Sequence, residues 1–294
     1  MNLGYAIKEI TELLKSHDVT EPAREASLLV CLSIRKDKTF LIAHPEYELT
    51  ADEQSLLKDF VRRRANREPY QYIAGKQEFY GLEFEVTSDV LIPRAETEIL
   101  VERAIESLQK RRVPSTFLEV GIGSGCIAVS MLSNEEKARA VGVDISIQAL
   151  AVAKRNATRH GVADRLGLFV SDAYSELDRR DFDLIVSNPP YVPVADIGSL
   201  QSEVRDFEPF TSLTDGGSGL SIIEKIIRGA PDLLRPQGEL LIEIGFDQSS
   251  RVEKMFDPNR WQKVDFLADL QGIPRSAYAV LHLDTKKDGG TRQN

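Results

Sequence analysis

The sequence predicts an α/β protein in which a doubly wound parallel sheet follows a small helical bundle. Three observations predict it. From Ser115 onward, short apolar runs alternate with helical patterns, the order that builds a parallel sheet covered by helices. Residues 1–75 contain helical patterns only. A glycine-rich turn at 121–125 directly follows the first apolar run of the second part. We therefore expect a helical domain and a larger sheet domain.

The N-terminal helices are predicted from periodicity and capping residues. The first pattern places four apolar residues on one helix face: Leu3, Ile7, Ile10 and Leu14. Thr20 is a candidate cap for a second helix with Pro22 in its first turn. Thr50 and Glu53 predict a capping box for a further helix. That helix ends in Arg62–Arg64, a run that suits either a helix C-terminus or contact with an acidic partner or RNA.

The order of patterns predicts four segments. These are a helical recognition domain at 1–75, a β-hairpin linker at 76–92, a sheet domain at 93–285 and a disordered tail at 286–294. Pro93 marks the start of a helix, and the neighbouring Arg94 has two interpretations. Arg94 either leans over a ligand pocket or pairs with Glu96 or Glu98.

The sheet domain is predicted from apolar runs of strand length. The run 182–187 is apolar with β-branched residues and predicts a strand buried on both faces. Ser146 is a candidate helix cap after the second strand. The predicted strands are Phe117–Val120, Ala140–Val143, Leu166–Val170, Phe182–Ser187, Leu240–Ile244, Val264–Leu267 and Tyr278–Leu283.

Composition excludes several classes of protein. The 294 residues include 37 Lys and Arg against 46 Asp and Glu, a net charge of −9, which argues against a general nucleic-acid clamp. Cys31 and Cys126 lie in contexts that do not indicate a disulfide, which favours a reducing compartment. Because we find neither a signal peptide nor an apolar run long enough to span a membrane, we expect a cytoplasmic protein. No cluster has metal-ligand spacing, so we expect no metal.

The glycine turn has the context of a nucleotide site. Glycines at 121, 123 and 125 allow a tight turn and close approach of a ligand, and Asp144 lies 19 residues past Gly125 at the end of the next strand. A nicotinamide-dependent oxidoreductase is one interpretation. Its dinucleotide fingerprint requires a glycine where Cys126 stands, and no histidine has a partner suited to proton relay. With Glu119 before the turn and Asp172 after the third strand, the pattern instead resembles the class I S-adenosylmethionine-dependent methyltransferase fold.

That resemblance implies S-adenosyl-L-methionine as cofactor. It implies that the glycine loop lies by the methionine part, that Asp144 grips the ribose and that Asp172 reaches the adenine amine, with Ala173 beside the base. The implied cofactor-binding residues are Gly121, Ile122, Gly123, Ser124, Gly125, Asp144, Asp172, Ala173 and Asn188.

The sequence Asn188-Pro189-Pro190-Tyr191 follows the buried strand 182–187. Two prolines form a rigid loop at the carboxyl end of the strand, where open α/β sheets bind ligands. The motif resembles that of amino methyltransferases acting on planar nitrogen. The Asn188 side-chain oxygen and the Pro189 carbonyl would each accept one N–H while Tyr191 packs on the planar group. As a purely structural alternative, Asn-Pro starts a turn and Tyr191 is a rim aromatic.

Three further passages resemble the release factor glutamine methyltransferase family (HemK/PrmC type). They are residues 71–81, 91–98 and 208–220, and Ala95 replaces a proline common in the family. The resemblance implies methylation of the glutamine N5 in the Gly-Gly-Gln motif of class 1 peptide chain release factors, gripped by the first domain. Two alternatives stay open: another planar amine, on a ribosomal protein, DNA or ribosomal RNA, and a non-catalytic S-adenosylmethionine-binding adaptor.

Overall fold

The structure, a computed structural model, describes residues 1–111, 114–177 and 181–283, so the predicted tail at 286–294 lies outside the described residues. The helices are α1 (Leu3–Ser16), α2 (Pro22–Ile34), α3 (Lys38–Ala43), α4 (Ala51–Ala65), α5 (Tyr70–Ala74), α6 (Glu98–Gln109), α7 (Cys126–Asn134), α8 (Ile147–Arg159), α9 (Ser202–Phe207), α10 (Phe210–Leu213), α11 (Ser221–Leu233) and α12 (Ser249–Glu253). The strands are β1 (Lys76–Phe79), β2 (Leu82–Glu85), β3 (Thr116–Val120), β4 (Arg139–Asp144), β5 (Leu166–Val170), β6 (Phe182–Ser187), β7 (Leu234–Glu243), β8 (Trp261–Ala268) and β9 (Pro274–Leu281).

The chain forms two compact units, and the first is helical. It comprises Met1–Lys76 and Leu200–Phe207. Leu3, Ile10 and Leu14 of α1 are buried in its core, as predicted from their spacing. The capping box of α4 is confirmed. The predicted Thr20 cap is wrong: the helix begins at Pro22, so Glu21 occupies the cap position, and at φ +51° it makes no side-chain hydrogen bond to the helix.

The arginines at the end of α4 pair within the first unit. Arg64 is 3% exposed, and its guanidinium contacts Glu25 at 2.5 Å and Glu203 at 3.0 Å. Arg67 reaches the same Glu203 at 2.6 Å. Burial acts to raise the pKa of Glu203, but hydrogen bonds from these arginines outweigh it and lower that pKa. Arg64 is therefore an internal ion-pair residue rather than a surface for acidic partners.

The second unit, Gln77–Ser199 and the chain from Glu208, contains the sheet. Its strands run β5-β4-β3-β6-β7-β9-β8, and all neighbours are parallel except those of β9. All six residues of β6 are buried, as expected for a central parallel strand. The α/β fold class is confirmed. A separate hairpin, β1–β2, turns through Tyr80 and Gly81, both at positive φ.

Strand register brings the polar strand ends to one edge of the sheet. Val120 of β3 pairs with Val143 on one side and with Ser187 on the other. Ser187 in turn pairs with Ile242 of β7. The residues that follow these positions therefore lie side by side at the carboxyl edge: Gly121, Asp144, Asn188 and Glu243. The chain passes from β3 to β4 and β5 on one side of β3 and then crosses to β6 and β7 on the other, so β3 and β6 border the switch point where such sheets bind ligands.

Across the described ranges of the chain, no helix combines the length and the apolar character needed to cross a membrane.

Candidate active site

A cavity of about 550 Å³ opens at this edge of the sheet, within the size range of small-molecule sites. Its walls come from the turns after β3, β4, β5 and β6, from residues 88–94 and from residues 209–216. The predicted site residues that line it are Gly121, Ile122, Gly123, Ser124, Asp144, Asp172, Ala173, Asn188 and Pro190. Gly125, Pro189 and Tyr191 do not line it.

The three glycines of the turn have two different roles. Gly121 and Gly123 have φ of +74° and +52°, and a Cβ at either would meet no protein atom within 4 Å. They leave the cavity wall open to a ligand. Gly125, at φ +80°, precedes α7, and a Cβ there would lie 3.2 Å from the Ala153 Cβ of α8. Its lack of a side chain serves helix packing.

Two carboxyl groups flank this turn. Asp144 accepts hydrogen bonds from the Gly123 N–H at 3.0 Å and the Ser146 N–H at 2.9 Å, one on each oxygen. Because a carboxylate has about four lone-pair sites, both oxygens can accept further hydrogen bonds. Burial raises the pKa of Asp144, although the hydrogen bonds from the backbone N–H groups act to lower it. Burial also raises the pKa of Glu119 well above its usual value, and the charge of Asp144 acts in the same direction, although the Ala128 N–H donates to this carboxyl at 2.8 Å.

Asp172 and Ala173 form the wall beyond β5. The Asp172 side chain is 63% exposed and pairs with Lys225 at 2.7 Å. Ala173 is buried and has φ +54°, in the left-handed region that residues other than glycine seldom adopt. Asp172 therefore retains carboxylate oxygens at the rim while Ala173 provides an apolar surface.

The loop after β6 is anchored at its first residue. Ser187 donates to the Val120 carbonyl at 2.7 Å, which ties the end of β6 to β3. The Asn188 amide Nδ2 donates to the Thr97 Oγ1 at 3.2 Å. No donor among the described residues reaches the Asn188 Oδ1. Because Asn188 lines the cavity, its side-chain oxygen is available to accept a hydrogen bond from a ligand.

Tyr191 is held from the neighbouring strand. Its hydroxyl donates to the Glu243 Oε1 at 3.3 Å, and its carbonyl accepts from the Gln248 Nε2 at 2.9 Å. Gly219 packs so closely that a Cβ there would lie 2.1 Å from the Tyr191 carbonyl oxygen. Burial, together with the Glu243 carboxyl, raises the pKa of the Tyr191 phenol.

Glu243 is the most perturbed acid next to the loop. Burial raises its pKa to about 7, and the charge of Glu96 acts in the same direction. The hydroxyls of Thr97 and Tyr191 and the charge of Arg275 oppose the rise. The Glu243 Oε2 is buried with no hydrogen-bond partner among the described residues, which accounts for the dominance of desolvation.

Arg94 lines the cavity but pairs with neither predicted acid. Its guanidinium contacts the Glu208 carboxylate at 2.5 Å, and the Ile92 N–H donates to the other oxygen at 3.4 Å. The Glu208 side chain is 1% exposed, and burial raises its pKa although Arg94 acts to lower it. The prediction of a pair with Glu96 or Glu98 is wrong, because a buried carboxylate distant in sequence takes the cation.

Sequence reasoning missed four residues that shape the site: Thr97, Glu208, Glu243 and Gln248. Glu243 carried a weak signal, an acid at the end of the apolar run of β7. Thr97 and Glu208 lie in the passages 91–98 and 208–220 that resemble the family, but their side chains were given no role, and Gln248 has no sequence pattern of its own. Thr97 bonds Asn188, Gln248 bonds Tyr191 and Glu208 bonds Arg94, at separations of 91, 57 and 114 positions in sequence.

Known proteins match the chain in both units. Residues 5–75 match the PrmC N-terminal domain family, and residues 96–199 match the methyltransferase small domain family. The release factor glutamine methyltransferase of Koribacter versatilis is 40% identical over 94% of this chain and 97% of its own. The release factor glutamine methyltransferase of Geobacter sulfurreducens is 42% identical over 85% of this chain and 87% of its own. A methyltransferase structure from Pyrococcus furiosus shares the fold, with TM-score 0.50 and 17% identity over 69% of this chain and 90% of its own. At this identity and coverage, the chain belongs to the release factor glutamine methyltransferase family.

Proposed function

We propose that this enzyme methylates the side-chain amide N5 of the glutamine in the Gly-Gly-Gln motif of class 1 peptide chain release factors, with S-adenosyl-L-methionine as donor. The names of its relatives support the substrate class. The observation that carries the proposal is the Asn188 side chain, which lines the cavity with its nitrogen engaged by Thr97 and its oxygen free to accept.

The cavity residues fit the donor. Gly121 and Gly123 leave room for the methionine part, and the Asp144 oxygens retain lone pairs for two ribose hydroxyls. Asp172, with Ala173 beside the base, would accept from the adenine amine. When bound, S-adenosylmethionine supplies a sulfonium-activated methyl group.

The protein's task is to make a poor nucleophile reactive. The lone pair of an amide nitrogen is delocalised into its carbonyl, so it attacks only when its geometry is constrained. The Asn188 oxygen and the Pro189 carbonyl would each accept one N–H, which aims the nitrogen at the methyl group while Tyr191 packs on the amide plane. Such alignment is worth several kcal/mol, and fixed carbonyl dipoles stabilise the developing positive charge. The proton can leave after transfer.

The charged groups in the wall nearest the loop have internal partners. Arg94 is paired with Glu208. Burial acts to raise the pKa of Asp215, but hydrogen bonds from the Ser221 hydroxyl and from the Ser221, Gly219 and Gly217 N–H groups lower it to about 2. Without a free charge from these groups, this part of the cavity favours a neutral side chain such as glutamine over a lysine or a carboxylate.

We propose that residues 1–75 recognise the release factor, that 76–92 link the domains and that 93–285 carry out methyl transfer. We also propose Asn188, Pro189 and Tyr191 as the catalytic residues, with Pro190 completing the substrate-binding loop. No direct nucleic-acid partner is proposed.

The test is to incubate the purified enzyme with methyl-labelled S-adenosylmethionine and an unmethylated class 1 release factor. A matched factor carries alanine for the glutamine of Gly-Gly-Gln. Mass spectrometry should find a single methyl group on that glutamine in the first factor and none in the second. Label on both factors equally, or label found only on RNA, DNA or ribosomal protein when cell extract is the substrate, would refute the proposal.

A further inference from the structure

The turn that follows β7 contacts Tyr191 at three separate places. Glu243, the last residue of β7, accepts from the Tyr191 hydroxyl at 3.3 Å. Gly245 lies against the ring, since a Cβ there would be 3.1 Å from the Tyr191 Cδ2. Gln248 donates to the Tyr191 carbonyl at 2.9 Å. One short segment therefore contacts the hydroxyl, the ring and the main chain of the same residue.

Both polar contacts come from buried side chains, which gives them defined orientations. Glu243 is 4% exposed and Gln248 is 2% exposed. The Gln248 Oε1 also accepts from the Gly245 N–H at 2.8 Å, so the amide group is fixed at both its ends. Gly219 also meets the Tyr191 carbonyl closely enough to exclude any side chain. Tyr191 has little freedom to rotate or to shift along the cavity edge.

Register explains why this segment reaches the loop. Ser187 of β6 pairs with Ile242 of β7, so the next residues of the two strands, Asn188 and Glu243, emerge side by side. The Thr97 hydroxyl that anchors Asn188 also lies beside the Glu243 carboxyl, where it acts to lower the carboxyl's pKa. The Glu243 carboxyl therefore lies beside both the Thr97 hydroxyl, which anchors Asn188, and the Tyr191 hydroxyl.

We propose that Glu243 and Gln248 are positioning residues, which fix the plane of the Tyr191 ring relative to the Asn188 oxygen and thereby set the orientation of the substrate amide. The proposal rests on the proposed function, in which that amide is glutamine N5. Both side chains are buried and contact Tyr191, so each is expected to act through Tyr191 rather than by direct contact with donor or substrate.

The experiment compares four variants in methyl transfer to a class 1 release factor. Glu243→Leu and Gln248→Met remove the polar contacts, whereas Glu243→Gln keeps an acceptor for the tyrosine hydroxyl. Val162→Ala is the control, because Val162 is buried in a core cluster separate from the one that Tyr191 packs against, so its truncation leaves a core cavity away from the loop. We expect kcat to fall about ten-fold or more in the first two, since small misplacements strongly slow an aligned reaction. Donor affinity should stay within about two-fold.

The kcat values of Glu243→Gln and of the control distinguish a positioning role from general destabilisation of the fold. Glu243→Gln should retain kcat within about three-fold, and Val162→Ala should retain it despite a lower melting temperature. Unchanged kcat in both Glu243→Leu and Gln248→Met would overturn the proposal, as would an equal loss in Val162→Ala.

Hydrogen exchange provides a readout that does not depend on the substrate. Amide exchange in the segment 188–194, which includes the Val192 N–H bonded to the Leu213 carbonyl, should accelerate in Glu243→Leu and Gln248→Met but not in Val162→Ala. If the wild-type enzyme methylates no release factor, the proposed function fails and exchange alone decides the positioning role. Exchange equal to wild type in both variants would then reject it.

Discussion

Thr97 accepts a hydrogen bond from the side-chain amide of Asn188 at 3.2 Å. The two residues are 91 positions apart in sequence, and Thr97 is 2% exposed. Because this contact uses the nitrogen of the amide, it fixes which end of Asn188 is left to a ligand. The orientation of the acceptor is thus set by a residue that precedes α6, far from the loop that carries it.

Replacing Thr97 with valine tests this anchoring. The substitution keeps the shape and removes the hydroxyl, so Asn188 loses its acceptor and can rotate. We expect kcat for methyl transfer to fall about ten-fold, with donor affinity nearly unchanged by calorimetry. Thr97→Ser keeps the hydroxyl and serves as the control, with kcat close to wild type. Equal activity of the valine and serine variants would show that the anchor is dispensable.

The raised pKa of Glu243 predicts a specific pH dependence of stability. Its native pKa is about 7 against an ordinary value of 4.5, so the folded state binds more protons than the unfolded state between these values. This contribution to stability is complete below about pH 4.5 and is lost as pH rises through about 7. Glu243→Gln removes the titration. Relative to wild type, it should gain stability between pH 4.5 and 8, on the order of 3 kcal/mol.

Urea unfolding of both proteins across this pH range checks the effect. Taking the difference between them cancels the contributions of other buried acids, among them Glu119 and Glu208. A difference that is constant with pH would mean that Glu243 is already ionised at pH 5.

Gly121 and Gly161 offer a matched pair for the glycine turn. Their φ angles are +74° and +69°, and a Cβ at either meets no protein atom within 4 Å. Alanine should therefore destabilise the protein by a similar amount at both positions, about 1 kcal/mol. Only Gly121 lines the cavity, so only Gly121→Ala should weaken S-adenosylmethionine binding in calorimetry, by about ten-fold or more. Equal donor affinity in the two variants would argue against the turn as the cofactor site.

The buried ion pairs of the helical unit predict a large effect at Arg64. Arg64→Met leaves Glu25 and Glu203 without the guanidinium that contacts both, and breaking such a buried pair costs about 3–5 kcal/mol. Arg62→Met is the control, since its pair with Asp59 is largely exposed and worth at most about 1 kcal/mol. Urea unfolding followed by circular dichroism should separate the two variants clearly. Similar destabilisation in both would contradict the role assigned to Arg64.

Local sequence patterns predicted a central strand and two helix caps correctly. The strand 182–187 was predicted with its observed bounds, because a strand buried on both faces is continuously apolar. The cap at Ser146 and the capping box at Thr50 were predicted because their hydrogen bonds join residues three apart. The short helices α9 and α10 were not predicted, because segments of four to six residues carry too little periodicity.

Contacts between distant residues could not be predicted. Arg94 has two acids within four positions, yet it pairs with Glu208, and Tyr191 meets Glu243 on the neighbouring strand. Such partners depend on sheet order and register, which no local pattern specifies. Gly125 was predicted to bind the cofactor with the other loop glycines, and only its distance to Ala153 reveals a packing role.

Methyl transfer by Asn188→Ala is the most direct test of the catalytic role of the loop. Alanine removes the acceptor oxygen and leaves the glycine turn and Asp144 intact. Calorimetric binding of S-adenosylmethionine should therefore remain within a few-fold of wild type, while kcat toward a class 1 release factor should fall by about 100-fold or more. Full turnover by this variant would contradict the claim that the Asn188 oxygen orients the substrate amide.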